Sequence, residues 1–272
     1  MTIVSIGEIL WDIFPDSERP GGTPFNFAVH AMRLGHQVIF VSAVGDDTRG
    51  RCALKRAVKL GLAPEFIQVI AGAATGTVSV KAGPAGQPDF TIHRPAAYDR
   101  LRIEPAQLQR IAEAKPGWVY FGTLFNSDPE AYRQTIDLLR SLPSARRVYD
   151  VNLRSGCYTP ELVRELLTLA HAVKLNGAEA REFPDLSRFR AVAVTRGAAG
   201  CDIRIGNDRA VCPGYPVNVA DTVGAGDAFA AAFLHGLEQG WSAARTGDFA
   251  NRLGALIASK PGAIPDWKLE QL

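Results

Sequence analysis

The sequence predicts an α/β protein built on a central, mostly parallel sheet with helices on both faces. Short apolar runs rich in β-branched residues alternate with longer runs whose apolar residues recur at helical spacing. Strands that alternate with amphipathic helices form βαβ units, and these units make parallel sheets. The chain has 272 residues, of which 47% are hydrophobic, so it is long enough to bury one large core.

The expected elements follow this alternation along the whole chain. We expect strands at Thr2–Ile6, 38–42, 118–121, 147–151, 172–175, Ala191–Thr195, Cys201–Ile205 and 210–212. We expect helices at 25–34, 50–60, 105–114, 129–139, 160–170, 177–183, 225–239 and 242–259. Because the strands are apolar along their length, both faces of the sheet should be buried under helices.

One stretch departs from this alternation. Residues 75–81 and 89–94 alternate apolar and polar side chains, and the segment 82–88 between them is rich in glycine and proline. This pattern predicts an antiparallel hairpin with one exposed face, which either decorates the fold or covers a site as a lid. We expect a single domain over 1–272 with a small antiparallel β lid formed by about 13–20 and 72–98. The segment 13–20 is short and leaves little room for further strands, so the hairpin should supply most of the lid.

Charge and cysteine content argue against several classes of partner. The formal net charge is +2 and the basic residues form no stripe, so neither nucleic acid nor an anionic membrane is favoured. No apolar run reaches the roughly 18–20 residues of a membrane helix, and the first residues lack signal-peptide features. The four cysteines lack metal-site or disulfide spacing, which favours reduced thiols and a cytoplasmic location.

The strongest chemical signal is the segment D-T-V-G-A-G-D-A-F at 221–229, which runs into a predicted helix. Glycines just before a helix allow backbone N–H groups to converge on an anion such as a phosphate. Taken alone, the segment is equally typical of a helix cap. The dinucleotide fingerprint is rejected because Phe229 stands where a small residue is needed, and the phosphate loop with its lysine is absent from the sequence.

This segment closely resembles the second signature of the ribokinase-like (phosphofructokinase-B) sugar kinases. The resemblance implies that Asp227 is the catalytic base and that Gly224, Ala225 and Gly226 form an anion hole for the transferring phosphoryl group. At a helix N-terminus, the Asp227 carboxylate is expected to have a lowered pKa and so to be a weak base. Phosphoryl transfer tolerates a weak base because its transition state needs the hydroxyl proton removed only late.

The resemblance extends over nearly the whole chain. The run G-G-T-P-F-N-F-A at 21–28 resembles the first family signature, in which two glycines form the lid hinge and the asparagine binds sugar. Alone, the glycine pair would be a turn, and Asn26 a capping or solvated amide. Because both signatures occur together, the resemblance implies sugar contacts from Asp12, Gly22, Asn26, Arg94, Asn152, Arg154 and Asp227.

Two further motifs resemble the nucleotide side of the family. The run K-L-N-G-A-E at 174–179 contains its N-x-x-E motif, and 195–200 matches its T-x-G-x-x-G turn. As ordinary structure these would be a helix cap and a tight turn. The resemblance implies ATP as co-substrate and Mg²⁺ placed by Glu179 through water. It implies nucleotide contacts from Lys174, Asn176, Thr195, Gly197, Gly200, Gly224, Gly226, Asn251 and Ala255.

One departure from the family concerns a monovalent cation. The resemblance implies that Asp221 helps to enclose K⁺, but Val223 stands where many members carry a hydroxyl. Activation by K⁺ is therefore a weakened expectation.

A half-covered lid face also favours a homodimer, because pairing removes exposed apolar surface.

The expected function is transfer of the γ-phosphoryl group of ATP to a hydroxyl of a small sugar. The sequence around Trp11, 22–26 and 94–99 most resembles that of fructokinases, so fructose is the first expected acceptor. Another sugar or sugar acid, such as 2-keto-3-deoxygluconate or ribose, stays open. A non-catalytic sugar or nucleotide sensor that has kept the fold is the alternative of another class.

Overall fold

The structure is a computed structural model that describes residues 1–82 and 88–272. Its strands are β1 (Thr2–Ile6), β2 (Leu10–Ile13), β3 (Glu18–Gly21), β4 (Gln37–Gly45), β5 (Ile67–Ile70), β6 (Gly76–Ala82), β7 (Pro88–His93), β8 (Trp118–Gly122), β9 (Arg146–Asp150), β10 (Ala172–Asn176), β11 (Ala191–Thr195), β12 (Cys201–Ile205) and β13 (Asp208–Cys212). Its α-helices are α1 (Thr23–Arg33), α2 (Thr48–Lys59), α3 (Pro105–Glu113), α4 (Thr123–Asn126), α5 (Pro129–Ser141), α6 (Pro160–Leu169), α7 (Gly177–Glu182), α8 (Ala225–Glu238) and α9 (Ala243–Ala258).

Nine of the described strands form the main sheet, in the order β13-β12-β11-β10-β9-β8-β1-β4-β5. Strands β11, β12 and β13 pair antiparallel, whereas the neighbours from β11 to β5 pair parallel. The predicted mostly parallel sheet is therefore confirmed. Strand β5 was not predicted, because it is only four residues long and its pattern is too short to distinguish from a loop.

Helices cover both faces of the main sheet, as the apolar strands predict. One buried layer joins Ile3 to residues of α1, α8 and α9, and the other joins Val4 to residues of α3, α5 and α6. Neighbouring residues of β1 thus enter opposite layers, as the alternation of side chains along a strand requires. Among the described helices, none has the length and apolar character needed to cross a membrane.

A second, small sheet has the order β3-β2-β6-β7. The predicted hairpin is present as β6 and β7, which pair antiparallel, while its turn at 83–87 lies outside the described residues. The expectation of little room for strands at 13–20 was wrong. The segment contains the last residue of β2 and most of β3, because a tight reversal, in which Phe14 N–H donates to Ser17 O at 2.9 Å, needs few residues. Since β2 and β6 pair parallel, this sheet is mixed.

Candidate active site

The turn that precedes α8 depends on a glycine in a left-handed conformation. Gly224 has φ of 82°, and a Cβ at this position would lie 2.5 Å from the Cα and O of Ala263. The close approach of the 261–264 loop therefore excludes any side chain here. Because the chain bends here, α8 starts at Ala225. The free N–H groups and the positive end of the dipole of α8 therefore lie at this turn.

A histidine and a tryptophan hold the 261–264 loop from behind. The indole Nε1–H of Trp267 donates to His30 Nδ1 at 3.1 Å, and His30 Nε2 lies 3.0 Å from Ala263 O. Because indole N–H can only donate, Nδ1 is the acceptor and Nε2–H of the neutral ring donates to Ala263. Burial lowers the pKa of His30 to about 4, so the ring is neutral near pH 7. This loop in turn packs against Gly224.

Asp227 lies in the first turn of α8 and is only 8% exposed. The side-chain Nδ2 of Asn26, from α1, donates to Asp227 Oδ2 at 2.7 Å. Burial raises the pKa of Asp227 to about 6, while the Asn26 hydrogen bond and the charges of Lys174 and Arg154 oppose the rise. The predicted lowering of this pKa was wrong, because desolvation outweighs the effect of the helix N-terminus.

A small cavity of about 280 Å³ lies beside Asp227. The main-sheet side contributes mostly polar groups, and the small sheet contributes Asp12 together with apolar side chains from β2, β6 and β7. The predicted sugar-site residues that line it are Asp12, Gly22, Asn26, Asn152, Arg154 and Asp227. The apolar lining consists of Leu10, Val78, Phe90, Ile92, Leu124 and Val223. An acidic and amide-rich floor under an apolar cover suits a small polyhydroxylated ligand.

Local interactions hold the polar floor in place. Asn152 has φ of 36°, a left-handed value that asparagine tolerates, and its Nδ2 donates to Thr23 Oγ1 at 2.6 Å. Burial raises the pKa of Asp12, on β2, to about 6, and Arg154 opposes this rise. The Arg154 guanidinium lies 5.7 Å from the centre of the Phe90 ring, which joins the small sheet to the loop after β9.

Lys174 lies directly under the turn before α8. Its Nζ is 3.4 Å from the position that a Cβ would take at Gly226 and 3.1 Å from Oδ1 of Asp150. Asp150 is fully buried, and Tyr120 donates to its Oδ2 at 2.8 Å. Burial alone would lower the pKa of Lys174. The neighbouring carboxylates, Asp150 first, outweigh this effect and hold the pKa above its usual value. The ammonium group is therefore charged and lines the smaller cavity.

A larger cavity of about 850 Å³ lies on the other side of the turn. It contains the predicted nucleotide-site residues Asn176, Thr195, Gly197, Gly200, Gly226, Asn251 and Ala255, together with Ala225. The side-chain Nδ2 of Asn251 donates to Cys212 O at 3.1 Å and to Pro213 O at 3.0 Å, so this amide positions the cavity wall. The two cavities share Thr222 and Gly226 in their linings, which puts their contents next to each other at the start of α8.

Glu179 forms a capping box with Asn176 at the start of α7. Its Oε2 accepts from Asn176 N–H at 2.7 Å, and its Oε1 accepts from Leu153 N–H at 2.8 Å. The side chain is buried, which raises its pKa, and it lines a third hollow beside the larger cavity. A helix cap is thus the observed local role of N-x-x-E, and the metal role of Glu179 stays a prediction.

The side chains around Asp221 supply few ligands for a monovalent cation. Its Oδ1 accepts from Val223 N–H at 3.0 Å, and its Oδ2 accepts from Gly262 N–H at 3.1 Å and from Arg19 at 3.0 Å. Both oxygens are therefore engaged, and the Val223 side chain offers no oxygen. Among the described residues, no group of three or more His, Cys, Asp or Glu side chains could hold a metal ion. A divalent ion would need oxygens of a bound phosphate.

Arg94 lies outside both cavities. Its guanidinium forms an ion pair with buried Asp99 and donates to Leu124 O at 3.0 Å and to the hydroxyl of Ser127. These partners hold the start of the 94–99 segment against α4, and the charge is committed there. Asp99 lies five residues along the chain, but nothing in the sequence marked it as the partner of Arg94.

Sequence reasoning missed Glu8, which follows β1 and is only 3% exposed. It lines the smaller cavity together with Asp12 and Asp227. Burial raises the pKa of Glu8 to about 7, the charge of Asp227 adds to the rise, and backbone hydrogen bonds oppose it. The available signal was a carboxylate directly after a buried strand, four residues before Asp12.

Comparison with known proteins gives a consistent result. The profile of the pfkB family carbohydrate kinases matches residues 16–269. A fructokinase of Klebsiella pneumoniae is 30% identical over 85% of this chain and 83% of its own length. The aminoimidazole riboside kinase of Salmonella typhimurium is 27% identical over 95% of this chain and 89% of its own length.

A solved structure extends this similarity to three dimensions. An uncharacterized sugar kinase of Pyrococcus horikoshii, in complex with ATP, has a TM-score of 0.88 and 27% identity, and the match covers 99% of this chain and 96% of that chain. The ribokinase-like resemblance inferred from the two signatures is thereby confirmed. With two cavities that meet at the turn before α8, and with a profile match over most of its length, the chain belongs to the pfkB family of carbohydrate kinases.

Proposed function

We propose that this carbohydrate kinase transfers the γ-phosphoryl group of ATP to a hydroxyl of fructose or a similar small sugar. One observation carries the proposal: Asp227 lies in the smaller cavity, next to the Gly226 wall that this cavity shares with the larger one. A hydroxyl bound beside Asp227 would face a phosphate bound at the start of α8. That arrangement suits an in-line transfer between two bound substrates.

Asp227 is the proposed base. Its raised pKa of about 6 leaves it ionised at neutral pH, yet makes it a stronger proton acceptor than an exposed aspartate. Asn26 holds Oδ2 at 2.7 Å, which orients the carboxylate and directs Oδ1 to the sugar hydroxyl. The hydroxyl oxygen forms a bond to the γ-phosphorus as the bond to the β-phosphate oxygen breaks, and its proton passes to Asp227.

The proposed anion hole consists of the backbone N–H groups of Gly224, which caps α8, and of Ala225 and Gly226 in its first turn. These donors and the helix dipole favour negative charge on the transferring group. Lys174 supports the same charge from below, because its Nζ lies 3.4 Å from a Cβ position at Gly226. Although Lys174 was expected among the nucleotide contacts, its position supports a contact with the transferring phosphate.

The larger cavity is the proposed ATP site. Asn251 and Ala255 of α9 form one wall, and the turn from Thr195 to Gly200 forms another, which suits a flat base. Mg²⁺ enters as part of the Mg-ATP substrate, since the ion binds phosphate oxygens and keeps several waters. The proposed outer contacts of those waters are Asn176, at the edge of this cavity, and Glu179, in the adjoining hollow.

The small sheet is the proposed lid, with the main domain and lid together spanning 1–272. Its residues Leu10, Val78, Phe90 and Ile92 cover the sugar cavity with apolar surface, which excludes water from the transferring group.

Along β2, the alternation of side chains puts Trp11 and Ile13 on the face of the small sheet opposite the cavity. Pairing of two lids through that face is the proposed basis of a homodimer, which sedimentation analysis would test.

Fructose is the first proposed acceptor. The fructokinase relative supports it, while the riboside kinase relative keeps ribose-based acceptors as the second candidate. The cavity of about 280 Å³ lies just below the range of about 300–1,000 Å³ for drug-sized ligands, which supports a monosaccharide rather than a larger acceptor.

The test is ADP release with Mg-ATP across a panel that contains fructose, ribose, glucose, a riboside and 2-keto-3-deoxygluconate. We expect fructose to give the highest kcat/KM. A higher value for the riboside would move the acceptor to the second candidate. If the protein binds ATP but releases ADP with none of these compounds, the proposed acceptor class is overturned.

A further inference from the structure

Two buried oxygen atoms at the smaller cavity lack hydrogen-bond partners. They are Oε2 of Glu8 and Oδ1 of Asn26, which belong to residues that are 3% and 2% exposed. Both residues line the same cavity. Buried polar atoms are normally hydrogen-bonded, because leaving one unpaired costs free energy. A ligand in this cavity would supply the missing partners.

Glu8 is well placed to act on a ligand rather than on the fold. It follows Gly7 at the end of β1, where the chain leaves the main sheet and enters β2 of the small sheet. This end of a parallel strand is where open α/β sheets bind ligands. Its backbone O lies 2.5 Å from a Cβ position at Gly22, so the strand end packs tightly against the start of α1. Glu8 itself lines the cavity.

Burial and the neighbouring carboxylates disfavour the ionised form of Glu8. Asp12 and Asp227 line the same cavity, and burial is the first cause that raises the pKa of all three carboxyl groups. The cations of the described lining are Lys174 and Arg154; Lys174 is paired with Asp150, and Arg154 opposes the rise at Glu8. With a pKa of about 7, Glu8 is half protonated at pH 7 and mostly neutral below it. A carboxylic acid both donates and accepts, as sugar hydroxyl groups do.

We propose that Glu8 binds the acceptor sugar directly as a neutral carboxyl group. This inference rests on the proposed sugar-kinase function of the cavity. A neutral carboxyl group can donate a hydrogen bond to one sugar hydroxyl and accept one from another. The unpartnered Oε2 of Glu8 would thereby gain a partner without adding charge beside Asp12 and Asp227.

The experiment compares Glu8→Gln, Glu8→Met and Glu8→Ala with the wild-type enzyme. Glutamine keeps the shape and the donor and acceptor atoms without a charge, whereas methionine keeps only the approximate size. KM and kcat are measured for fructose, for 2-keto-3-deoxygluconate and for ATP, on protein whose Tm and ADP binding are also measured. Methionine is the reference if the smaller alanine variant fails to fold.

We expect Glu8→Gln to keep the KM for fructose within about threefold of wild type. Glu8→Met and Glu8→Ala should raise it by about tenfold or more, because the sugar hydroxyl loses its partner. The KM for ATP should stay unchanged in all three variants.

Two results would overturn the inference. An unchanged KM for fructose in Glu8→Met would mean that Glu8 does not bind the sugar. A loss in Glu8→Gln as large as in Glu8→Met would mean that Glu8 acts as an anion. If wild-type enzyme phosphorylates neither sugar, the proposed function fails instead, and calorimetry of fructose binding to the same variants then tests Glu8 directly.

Discussion

Arg19 of β3 and Asp221 of the turn before α8 form an ion pair, with Nη1 of Arg19 3.0 Å from Oδ2 of Asp221. The same carboxylate accepts from the N–H groups of Val223 and Gly262. One side chain therefore connects the small sheet, the turn and the loop that packs behind it. The guanidinium supplies positive charge at the carboxylate for which the family resemblance implied a monovalent cation.

The first prediction is that K⁺ does not activate the wild-type enzyme. At constant ionic strength, initial rates in KCl, NaCl and tetramethylammonium chloride should agree within about twofold, because both Asp221 oxygens already have partners. Arg19→Gln removes the charge and should make the rate depend on K⁺, whereas Arg19→Lys is the matched control that keeps it. Strong activation of wild type by K⁺ alone would contradict this role of Arg19.

The second prediction concerns the proposed base. Asp227→Asn should lower kcat by about 10²–10⁴-fold, the usual contribution of general base catalysis. ATP affinity should persist, since Asp227 lines the sugar cavity and not the larger one. The fold should persist too, because the carbonyl oxygen of the introduced asparagine can still accept the hydrogen bond from Asn26. Stopped-flow or coupled assays measure kcat, and near-normal turnover would show that Asp227 is not the base.

The third prediction follows from the pKa of Asp227, which burial raises to about 6. Only the ionised carboxylate accepts a proton, so kcat/KM for the sugar should fall as the pH drops below about 6. The fall should approach tenfold per pH unit. Asp12 shares this pKa range, so Asp12→Asn is the control and should keep the acidic limb. If the fall in kcat/KM at low pH disappears in Asp12→Asn, the fall belongs to Asp12 instead.

The fourth prediction concerns stability. The pKa of Glu8 rises from 4.5 to about 7 on folding, so its contribution to stability is complete below pH 4.5 and is lost as the pH rises through 7. Glu8→Gln stays neutral and should therefore be more stable than wild type at pH 8.5 by roughly 3 kcal/mol. At pH 4 the two proteins should differ little. Denaturant unfolding at both pH values measures this difference, and equal differences at the two pH values would contradict the assignment.

The fifth prediction compares two glycines with similar backbone angles. Gly224 and Gly35 have φ of 82° and 88°, but only Gly224 has neighbours within reach of a Cβ. Gly35→Ala should cost about 1–2 kcal/mol of stability and little activity, since the change adds only backbone strain. Gly224→Ala should also displace Ala263 and the turn, with at least about a tenfold loss of kcat. Equal kcat values for the two variants would argue against the turn as the anion site.

The main sheet was predictable because its strands are apolar on both faces, so their signal is strong even in short runs. Strands β2 and β3 were harder, since Asp12, Glu18, Arg19 and Pro20 are residues that strands disfavour. Their pairing depends on β6, which arrives from far along the chain. Only the hairpin of β6 and β7 carried a local alternating signal.

The candidate site was predictable where chemistry depends on neighbours in sequence, as at Gly224, Gly226 and Asp227. It was not predictable where tertiary contacts decide. Asp99 determines the direction of Arg94, and desolvation by distant segments raises the pKa of Asp227 against the local helix effect. Glu8 carries no motif, and its importance follows from burial and from an unpartnered oxygen.

The hydrogen bonds from Trp267 to His30 and from His30 to Ala263 have a consequence for the whole enzyme. They make the rigidity of the Gly224 turn depend on a brace that no substrate touches. A substitution in the C-terminal segment around Trp267 would then stop phosphoryl transfer from a distance, although no side chain of either binding site is changed.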